Sequence, residues 1–301
     1  MQRVQIDKLV VVGAGLIGAS CALALRAAGA VRDVVGVGRS AANLAAARAS
    51  GAVDRAFTQD AAWTGELAAA DVVLVAAPVG QYASLLATIA AHAGAQTIVT
   101  DAGSTKQDVV AAARAAMGGR FARFVPGHPI AGSDRSGAAA ASATLFADRS
   151  VILTPLPETD GAAVACVQQM WERCGARVGR MTPADHDRTF AAVSHLPHLL
   201  AFALVAELAA RPDAPALLAQ AGSGFRDFTR IAASSPEMWR DIALANGAAL
   251  RTELDRYRAA LAAIDAQLAA GDGAALEALF ARAAAARRGW GATLPETGDG
   301  A

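Results

Sequence analysis

Lysine, cysteine and net charge are all scarce in this 301-residue sequence. Basic and acidic residues number 27 each, so the formal net charge is zero and no bulk attraction to nucleic acid or to an anionic membrane is expected. The three cysteines form no CxxC pair and no cluster with histidine, which predicts no metal site. Lysine occurs only at Lys8 and Lys106. Specificity for an anionic ligand must therefore come from a few placed cations, most of them arginine.

The N-terminal residues do not predict an export signal. The apolar stretch near the N-terminus is too short to span a membrane and is not followed by a signal-peptide cleavage pattern. Sparse cysteines fit a reducing compartment. We therefore expect a cytoplasmic protein with no membrane contact and no nucleic-acid partner. A hydrophobic content of 54% over this length is enough for two globular domains.

Short apolar runs alternate with alanine-rich helical stretches over about the first 180 residues. This alternation predicts a parallel sheet with crossover helices. Several runs are continuously apolar, as expected for strands that are buried on both faces. The predicted strands cover residues 9–12, 34–37, 72–76, 97–100, 124–125, 151–154 and 177–180, and the predicted helices cover 15–28, 41–49, 82–91, 106–116 and 162–173.

The pattern changes at Met181, after which only helical periodicity is present. Thr182, Pro183 and Asp185 are typical of a helix start, as N-cap, first helical residue and acidic first-turn residue. We predict an α/β domain over residues 1–181, an all-α domain over 182–290 and a disordered tail over 291–301. Because helices this rich in alanine and leucine need apolar partners, the second domain is expected to form a homodimer.

A glycine-rich turn between the first predicted strand and helix is typical of a dinucleotide-binding site. It has the sequence Gly13-Ala14-Gly15-Leu16-Ile17-Gly18. In a strand–turn–helix context, Gly13 permits the tight turn, Gly15 lets the backbone approach a pyrophosphate, and Gly18 allows close helix–strand packing. Leu16 and Ile17 open the helix whose N-terminal N–H groups would face the phosphates. The motif predicts a Rossmann-type domain, and the alternative is a glycine-rich turn that binds another ligand.

The end of the second predicted strand bears on the choice between NAD and NADP. NAD sites usually place a carboxylate there for the ribose hydroxyls, but Gly38 stands at this point and Arg39 and Ser40 follow. A guanidinium without a neighbouring carboxylate suits a 2′-phosphate, so the sequence favours NADP over NAD. The alternative is a solvent-facing arginine. Further along, Ala77, Pro78 and Val79 end a central strand and are expected to form an apolar wall against the cofactor.

Histidines and an arginine supply the candidate chemistry. His128 stands between Gly127 and Pro129 just past a strand end, where a stiff loop can hold an imidazole as a proton acceptor, or simply bond it to the backbone. His195 and His198 are three residues apart, hence on one helix face, but no third metal ligand is near them in the sequence. Arg230 follows a flexible glycine pair, where a ligand can approach.

Three motifs in this order resemble the prephenate dehydrogenase family, which includes arogenate and cyclohexadienyl dehydrogenases. They are GHPIAGS from Gly127, SHLPH from Ser194 and GFRDFTRIA…SPEMW from Gly224, and the resemblance covers residues 8–288. It implies oxidative decarboxylation of prephenate or arogenate with hydride transfer to NAD(P), giving 4-hydroxyphenylpyruvate or tyrosine in tyrosine biosynthesis. It also implies a Rossmann-type domain followed by a helical dimerisation domain, with the active site between them.

The resemblance assigns roles residue by residue. His128 is similar to the family's catalytic histidine, which accepts the proton of the ring hydroxyl, and Ser104 to the serine that hydrogen-bonds this hydroxyl. Arg230 resembles the arginine that binds a substrate carboxylate, and His198 the second histidine of the pocket. Supporting positions in the pocket are matched by Ser194, His195, Asp227 and Trp239, and an acidic position after GHPIAG is matched by Asp134.

Two other functions are alternatives to the prephenate dehydrogenase interpretation. One is another two-domain dehydrogenase, of the β-hydroxyacid or pyrroline-carboxylate reductase type. The β-hydroxyacid enzymes use a lysine on a second-domain helix, and this sequence has no lysine after Lys106. The other is a non-catalytic NADP-binding sensor, which need not keep a proton acceptor, a hydroxyl and a carboxylate-binding arginine together.

Overall fold

The computed structural model describes residues 5–60, 62–132 and 135–291 of the chain. The chain forms two compact units, residues 1–250 and residues 251–301. All the candidate site residues lie in the first unit. Of the second unit, the structure describes the continuation of one long helix and one further helix.

A six-stranded parallel sheet forms the centre of the first unit. Its strands lie in the order β3-β2-β1-β4-β5-β6, which is the doubly wound arrangement that places ligands at the carboxyl ends of the strands. The predicted Rossmann-type fold is therefore confirmed. The strands are β1 (Ile6–Val12), β2 (Val31–Gly38), β3 (Arg55–Thr58), β4 (Val72–Val75), β5 (Ile98–Asp101) and β6 (Phe124–Val125), and the helices joining or following them are α1 (Leu16–Ala27), α2 (Ala41–Ala49), α3 (Tyr82–His92) and α4 (Gln107–Met117).

Alternate residues of the central strands pack into two separate apolar clusters, one on each face of the sheet. Leu9 and Val11 of β1 pack into the cluster on one face of the sheet, whereas Val10 and Val12 pack into the cluster on the other. All four side chains are fully buried. Burial on both faces explains why these strands are continuous apolar runs in the sequence. The rigid sheet fixes the turns at its carboxyl edge, where most of the candidate residues lie.

A second, three-stranded sheet corrects the prediction of a single parallel sheet. It consists of β7 (Gly127–Pro129), β8 (Ser150–Leu153) and β9 (Arg177–Arg180), with α5 (Gly161–Arg173) between the last two. β7 runs antiparallel to β8 and places His128 opposite Ile152. The prediction that His128 lies in a loop is therefore wrong. Three residues that include glycine and proline show no strand periodicity, so only tertiary pairing reveals this strand.

From Thr182 onward, the described residues form helices and no strands, as predicted. The helix start is confirmed: Thr182 Oγ1 accepts a hydrogen bond from the Asp185 N–H at 3.1 Å, and Pro183 is the first helical residue. The position 181/182 as a domain boundary stays a prediction, and the predicted disordered tail lies outside the described residues from 292 onward. The helices are α6 (Pro183–Phe190), α7 (Leu196–Ala209), α8 (Ala214–Ala219), α9 (Ser223–Thr229), α10 (Pro236–Ala245), α11 (Gly247–Ala270) and α12 (Gly273–Gly291).

A single π-helical turn, Ala191–His195, joins α6 to α7. Pro197 has no N–H to donate to a carbonyl of the preceding turn, so the regular α-helical hydrogen bonding is interrupted here. Such wide turns are frequent at functional sites because they redirect the side chains that they carry. This one carries Ser194 and His195.

The helix that follows the π turn is apolar on all sides. Only Ala201 of α7 is buried in the chain. The continuous segment Pro183–Ala209 is long and apolar enough to cross a membrane by length and composition, and 28% of its apolar window is buried. An apolar helix that its own chain leaves largely uncovered needs another apolar partner.

Candidate functional site

The glycine turn after β1 has the geometry that the sequence predicts. Gly13 adopts a φ of +104°, and a Cβ there would lie 2.4 Å from the Ala76 carbonyl oxygen. A Cβ on Gly18 would lie 2.3 Å from the Gly13 carbonyl oxygen, whereas one on Gly15 would meet no described atom within 4 Å. Gly13 and Gly18 are therefore required by close packing, and Gly15 leaves an open approach to the backbone at the start of α1.

Arg39, which follows β2, is paired with a carboxylate from the helical half of the chain. Its Nη1 and Nη2 donate to Glu237 Oε1 and Oε2 at 3.0 and 3.2 Å. Ser40 Oγ accepts the Asn43 N–H at 3.2 Å and so caps α2, which leaves the hydroxyl proton for another acceptor. The predicted cofactor contacts of Arg39 and Ser40 stay predictions.

Helix α10, which carries Glu237, also packs against the turn that follows β4. A Cβ on Gly80 would lie 2.6 Å from Asp241 Oδ2, so a side chain there would force the Asp241 carboxylate to move. Of the predicted apolar wall, Val79 is buried and Ala77 and Pro78 are half-buried. α10 therefore lies beside the carboxyl edge of the sheet, close to the predicted cofactor site.

His128 is the half-buried first member of a hydrogen-bonded row that continues through the buried His186 and Asp187. Its Nδ1 lies 2.9 Å from His186 Nε2, and His186 Nδ1 lies 2.9 Å from Asp187 Oδ1. The Asp187 carboxylate also accepts the backbone N–H groups of Lys106 and Gln107 at 2.8 and 2.9 Å, and so caps the start of α4. Phe190 packs against both imidazoles, with ring centroids 5.1 Å from His128 and 4.5 Å from His186.

Lys106 stabilises the strand that carries His128 through a hydrogen bond to Gly127. The Lys106 side chain is fully buried and its Nζ donates to Asp101 Oδ2 at 2.5 Å and to the Gly127 carbonyl at 2.7 Å. Asp101 Oδ1 in turn accepts the Gly127 N–H at 2.9 Å. Both backbone groups of Gly127 are thus tied to one buried ion pair, which fixes the residue preceding His128.

Burial keeps the histidines of this row neutral. It lowers the pKa of His128 well below the usual range, and the neighbouring His186 and the Lys106 charge lower it further. Burial also lowers the pKa of His186, although its bond to Asp187 opposes the change. For Asp187, burial alone would raise the pKa, but the hydrogen bonds from His186 and the start of α4 outweigh it and the net pKa is lowered. The row at neutral pH is a carboxylate and two uncharged imidazoles.

A second cluster, which consists of His195, His198 and Trp239, joins the π turn and the start of α7 to α10. The rings of His198 and Trp239 are stacked with centroids 3.7 Å apart, and the His195 ring lies 6.1 Å from that of Trp239. His198 Nδ1 lies 2.9 Å from the Ser194 carbonyl oxygen. Asn246 Nδ2 donates to the Asp187 carbonyl at 2.8 Å and contacts His195 Nδ1 at 3.1 Å. Asn246 therefore connects this cluster to the row that ends in His128.

Two nitrogen atoms of the second cluster have no partner among the described residues. They are His195 Nε2 and Trp239 Nε1, both buried atoms. Because Asn246 donates to His195 Nδ1, the proton of the neutral ring belongs on Nε2. Burial lowers the pKa of His195 to about 4, so the ring is neutral at pH 7. The cluster thus offers two N–H donors for an acceptor oxygen that the described residues do not supply.

Arg230 begins a single 3-10 turn, Arg230–Ala233, that packs against α7. Burial lowers the pKa of His198, the bond to the Ser194 carbonyl opposes the change, and the Arg230 charge lowers the pKa further. Asp227 is exposed on α9. The structure thus brings together His195, His198 and Trp239, and it places Arg230 on a turn that packs against α7.

Other predicted residues are placed less directly. Ser104 is half-buried in the short segment between β5 and α4, next to Thr105 and the buried Lys106. Asp134 lies outside the described residues. The roles assigned to all these residues stay predictions.

Three buried polar residues of the site were missed in the sequence: His186, Asp187 and Asn246. The His-Asp pair directly follows the helix start at Thr182, and Phe190 is one helical turn beyond His186, which is a recognisable buried face. Asn246 gave no local signal. Over the described residues, no group of three or more His, Cys, Asp or Glu side chains is placed to hold a metal ion.

Family models match both halves of the chain. "Prephenate dehydrogenase, nucleotide-binding domain" matches residues 21–180, and "Prephenate dehydrogenase, dimerization domain" matches residues 182–282. The prephenate dehydrogenase of Bacillus subtilis is 38% identical over 254 residues, which cover 83% of this chain and 67% of that protein. The cyclohexadienyl dehydrogenase of Zymomonas mobilis is 37% identical over 207 residues, which cover 68% of this chain and 70% of that protein.

Solved structures agree over nearly the whole chain. The prephenate dehydrogenase of Aquifex aeolicus, solved in complex with hydroxyphenyl propionate and NAD+, superposes with a TM-score of 0.88 at 31% identity and covers 95% of this chain and 99% of its own. The arogenate dehydrogenase of Synechocystis gives a TM-score of 0.76 at 33% identity, covering 94% and 99%. The rival dehydrogenase types are not favoured. The chain belongs to the prephenate dehydrogenase family.

Proposed function

We propose that this protein catalyses the oxidative decarboxylation of prephenate or arogenate, with hydride transfer to NAD(P)+, in tyrosine biosynthesis. The observation that carries the proposal is the pairing of a neutral base with unpartnered donors. His128 is held in a fixed row, and the adjoining cluster presents His195 Nε2 and Trp239 Nε1 without acceptors. A ring with a hydroxyl to deprotonate and carboxylates to bind would use both parts.

His128 acts as the general base in this proposal. The substrate carries a hydroxyl and a carboxylate on opposite carbons of a cyclohexadienyl ring. Bound NAD(P)+ would supply the hydride acceptor. As the carbon–oxygen bond gains double-bond character, His128 takes the hydroxyl proton, and loss of CO2 then makes the ring aromatic. Aromatisation supplies the driving force, so the protein has mainly to orient the substrate and hold one proton.

The second cluster is proposed to bind the anionic oxygens of the substrate. Arg230 supplies a full positive charge and the geometry for two parallel hydrogen bonds to a carboxylate. The N–H groups of His195 and Trp239, whose rings lie 6.1 Å apart, lack partners in the described chain and add two donors. His198 is stacked on Trp239 and forms the apolar edge of this pocket. Ser104 is proposed to hydrogen-bond the ring hydroxyl beside His128.

The cofactor is proposed to lie over Gly13–Gly18, with NADP favoured. Gly38 leaves the end of β2 without a carboxylate, and Arg39 follows with a guanidinium. Glu237 competes for this guanidinium, since it occupies both of its terminal nitrogens. NADP would therefore have to displace Glu237 from Arg39, and Glu237 sets how strongly NADP is preferred.

We further propose a homodimer formed through the helical half, in the cytoplasm. Support for the dimer comes from the dimerization-domain match and from the uncovered apolar surface of α7. The three cysteines are free thiols in the described chain, which supports a reducing compartment.

The test is the rise in absorbance of reduced nicotinamide when purified protein is mixed with prephenate or arogenate, each with NAD or NADP. Turnover in any of the four combinations supports the proposal, and the best pair identifies the side chain and the cofactor. Absence of turnover in all four, from folded protein that binds NADP, overturns it.

His128→Asn is the companion variant. It should lower kcat by roughly 10²–10⁴-fold, the range that general-base catalysis supplies, and leave the Kd of the cofactor nearly unchanged. His92→Gln, which changes an exposed histidine of α3, is the control and should retain wild-type kcat. Unchanged turnover in His128→Asn would remove His128 from this role.

A further inference from the structure

We propose that His186 and Asp187 are positioning residues that fix the tautomer of His128, so that Nε2 of His128 is the atom left free to accept a proton. The tautomer follows from the hydrogen-bonded row alone. That the accepted proton comes from a substrate hydroxyl rests on the proposed function.

The row is anchored at Asp187. Its carboxylate accepts the backbone N–H groups of Lys106 and Gln107 at the start of α4, where the helix dipole also favours a negative charge. A carboxylate that accepts two N–H groups is ionised and has no proton to donate. The nitrogen 2.9 Å from its Oδ1 must therefore be the donor. His186 thus carries a proton on Nδ1.

The remaining protons follow in sequence along the row. A neutral His186 with its proton on Nδ1 has a bare Nε2, which can only accept. Its neighbour at 2.9 Å, Nδ1 of His128, must then be a donor. A neutral His128 with its proton on Nδ1 has a bare Nε2. The carboxylate of Asp187 thereby dictates, through one imidazole, which nitrogen of His128 is basic.

The surrounding charges favour the neutral form of both rings. The charged groups that face His186 are Asp187 on α6, Lys106 at the start of α4 and Asp101 on β5, and the last two form an ion pair with each other. His128 faces the same Lys106 and the neutral His195. His186 is fully buried, so a second proton would place a cation away from water. Both ring nitrogens of His186 therefore bond to protein groups, Nε2 to His128 and Nδ1 to Asp187, and not to solvent.

The row also accommodates the proton that His128 gains. The hydroxyl proton moves to Nε2 and makes His128 an imidazolium, whose Nδ1–H still donates to His186. The Nδ1–H of His186 still donates to Asp187, so the new charge is stabilised by a carboxylate at the far end of the row. The two hydrogen bonds of the row, from His128 to His186 and from His186 to Asp187, are kept in this step.

The tautomers can be measured without any substrate. The chain has five histidines, so selective ¹⁵N-histidine labelling gives a small set of ring signals that single His→Gln variants assign. We expect the long-range ¹⁵N–¹H spectrum at pH 7 to show His128 and His186 both protonated on Nδ1. A signal for His128 protonated on Nε2 would overturn the proposal.

Asp187→Asn is the decisive variant. Its amide can donate to His186 Nδ1, which would move the proton of His186 to Nε2 and force His128 into the opposite tautomer. We expect the His128 signal to change accordingly and kcat to fall by roughly 10²–10⁴-fold, with KM nearly unchanged, since the general base is lost but not the pocket. Asp185→Asn, two residues earlier on the exposed side of α6, is the matched control and should change neither. An unchanged tautomer in Asp187→Asn would overturn the proposal.

Because Asp187 also caps α4, a second pair of variants avoids loss of folding. His186→Gln keeps an acceptor for His128 Nδ1–H, whereas His186→Leu does not, and both leave Asp187 in place. We expect kcat of the leucine variant to be about tenfold lower than that of the glutamine variant, for one lost hydrogen bond. Equal kcat values would contradict the inference.

The two proposals fail in different ways. If the wild-type tautomers are as expected but prephenate and arogenate are not turned over, the proposed function fails and the row stands. If turnover occurs while His128 is protonated on Nε2, the proposed function is supported and the positioning role of His186 and Asp187 is overturned.

Discussion

Single side chains at this site divide into those that take a proton and those that hold an anion. His128 is kept neutral by burial, whereas Arg230 is an exposed arginine on the turn that follows α9. The first should act on the chemical step and the second on binding. Kinetic constants of variants can separate these roles, because KM and kcat respond to different contacts.

Arg230→Ala should raise KM more than it lowers kcat. A charge-assisted, paired contact to a carboxylate contributes about 2–4 kcal/mol, and this contact exists already in the bound substrate. Steady-state kinetics with the better of the two substrates would measure the effect. Arg226→Ala, an exposed arginine one turn earlier on α9, is the control and should leave KM unchanged. A loss in kcat alone would instead mean that the contact forms chiefly in the transition state.

Among the secondary-structure elements, α10 connects the two sites most directly. Near its start, Glu237 pairs with Arg39 at the end of β2, and Trp239 follows on the same helix with its ring against His195 and His198. Asp241 touches the turn after β4 through Gly80. One short helix thus contacts the predicted cofactor site and the predicted substrate pocket.

Glu237→Gln should improve NADP binding relative to NAD. The change removes a negative charge beside the predicted position of the 2′-phosphate and weakens the hold on Arg39. We expect the Kd for NADP to fall by several-fold and that for NAD to stay within about twofold, since the exposed Arg39–Glu237 pair contributes little to stability by itself. Fluorescence titration with both reduced cofactors would measure it. Glu253→Gln on α11 serves as a control. A Kd for NADP that does not change would remove Glu237 from cofactor selection.

Helix α7 is a 14-residue helix of high apolar content without a distinct polar face, yet it buries only Ala201. This is the pattern of a helix that a second subunit covers. Ala203→Arg adds a cation at an exposed position of α7, one turn before Glu207, so the folded single chain should tolerate it. We expect light scattering after size exclusion to show a shift from dimer to monomer. Ala83→Arg, at an exposed position of α3, should remain dimeric. A dimeric Ala203→Arg variant would place the interface elsewhere.

For the whole molecule, four buried or half-buried histidines couple folding to pH. Burial lowers the pKa of His128, His186, His195 and His198. Between pH 6.5 and these lowered values, the unfolded chain binds more protons than the folded chain. Stability is therefore lost as the pH falls through this window.

His195 gives the clearest test of this coupling. Its pKa of about 4 corresponds to roughly 3 kcal/mol of stability that is present at pH 7 and lost by pH 4. Urea unfolding at several pH values between 7 and 4.5 should show the free energy of unfolding falling less steeply in His195→Gln than in the wild type. His92→Gln should keep the wild-type slope. Identical slopes in all three proteins would contradict the expectation.

The local sequence predicts most of the strands and helices of the fold, but not all of the pairing between strands. Continuous apolar strands, the glycine turn and the Thr182-Pro183 helix start each act within a few residues, so their positions could be predicted from the sequence. The short strand around His128 could not, because its existence depends on pairing with β8, whose residues are more than 20 positions away. β3 was missed for a related reason: its residues are only partly buried and lack a strong apolar pattern.

In the candidate site, too, residues in local motifs could be predicted, whereas residues that act through distant contacts could not. Motif residues such as His195, His198 and Trp239 could be predicted and are found together. Asn246, which donates to His195, could not, because it contacts the Asp187 carbonyl and His195 across 59 and 51 residues with no fixed spacing. Glu237, which engages Arg39, lies 198 positions from it.

Lys106 also limits which substitutions the sequence can accept. Exchange of lysine for arginine is tolerated at most surface positions, because water accommodates either cation. At position 106 the ammonium fits, fully enclosed, between the Asp101 carboxylate and the Gly127 carbonyl, where a planar guanidinium would need a wider space. A chain that draws nearly all its positive charge from arginine therefore keeps lysine where a compact charge is required. Relatives of this chain that diverge in their surface cations should still share a lysine at this position.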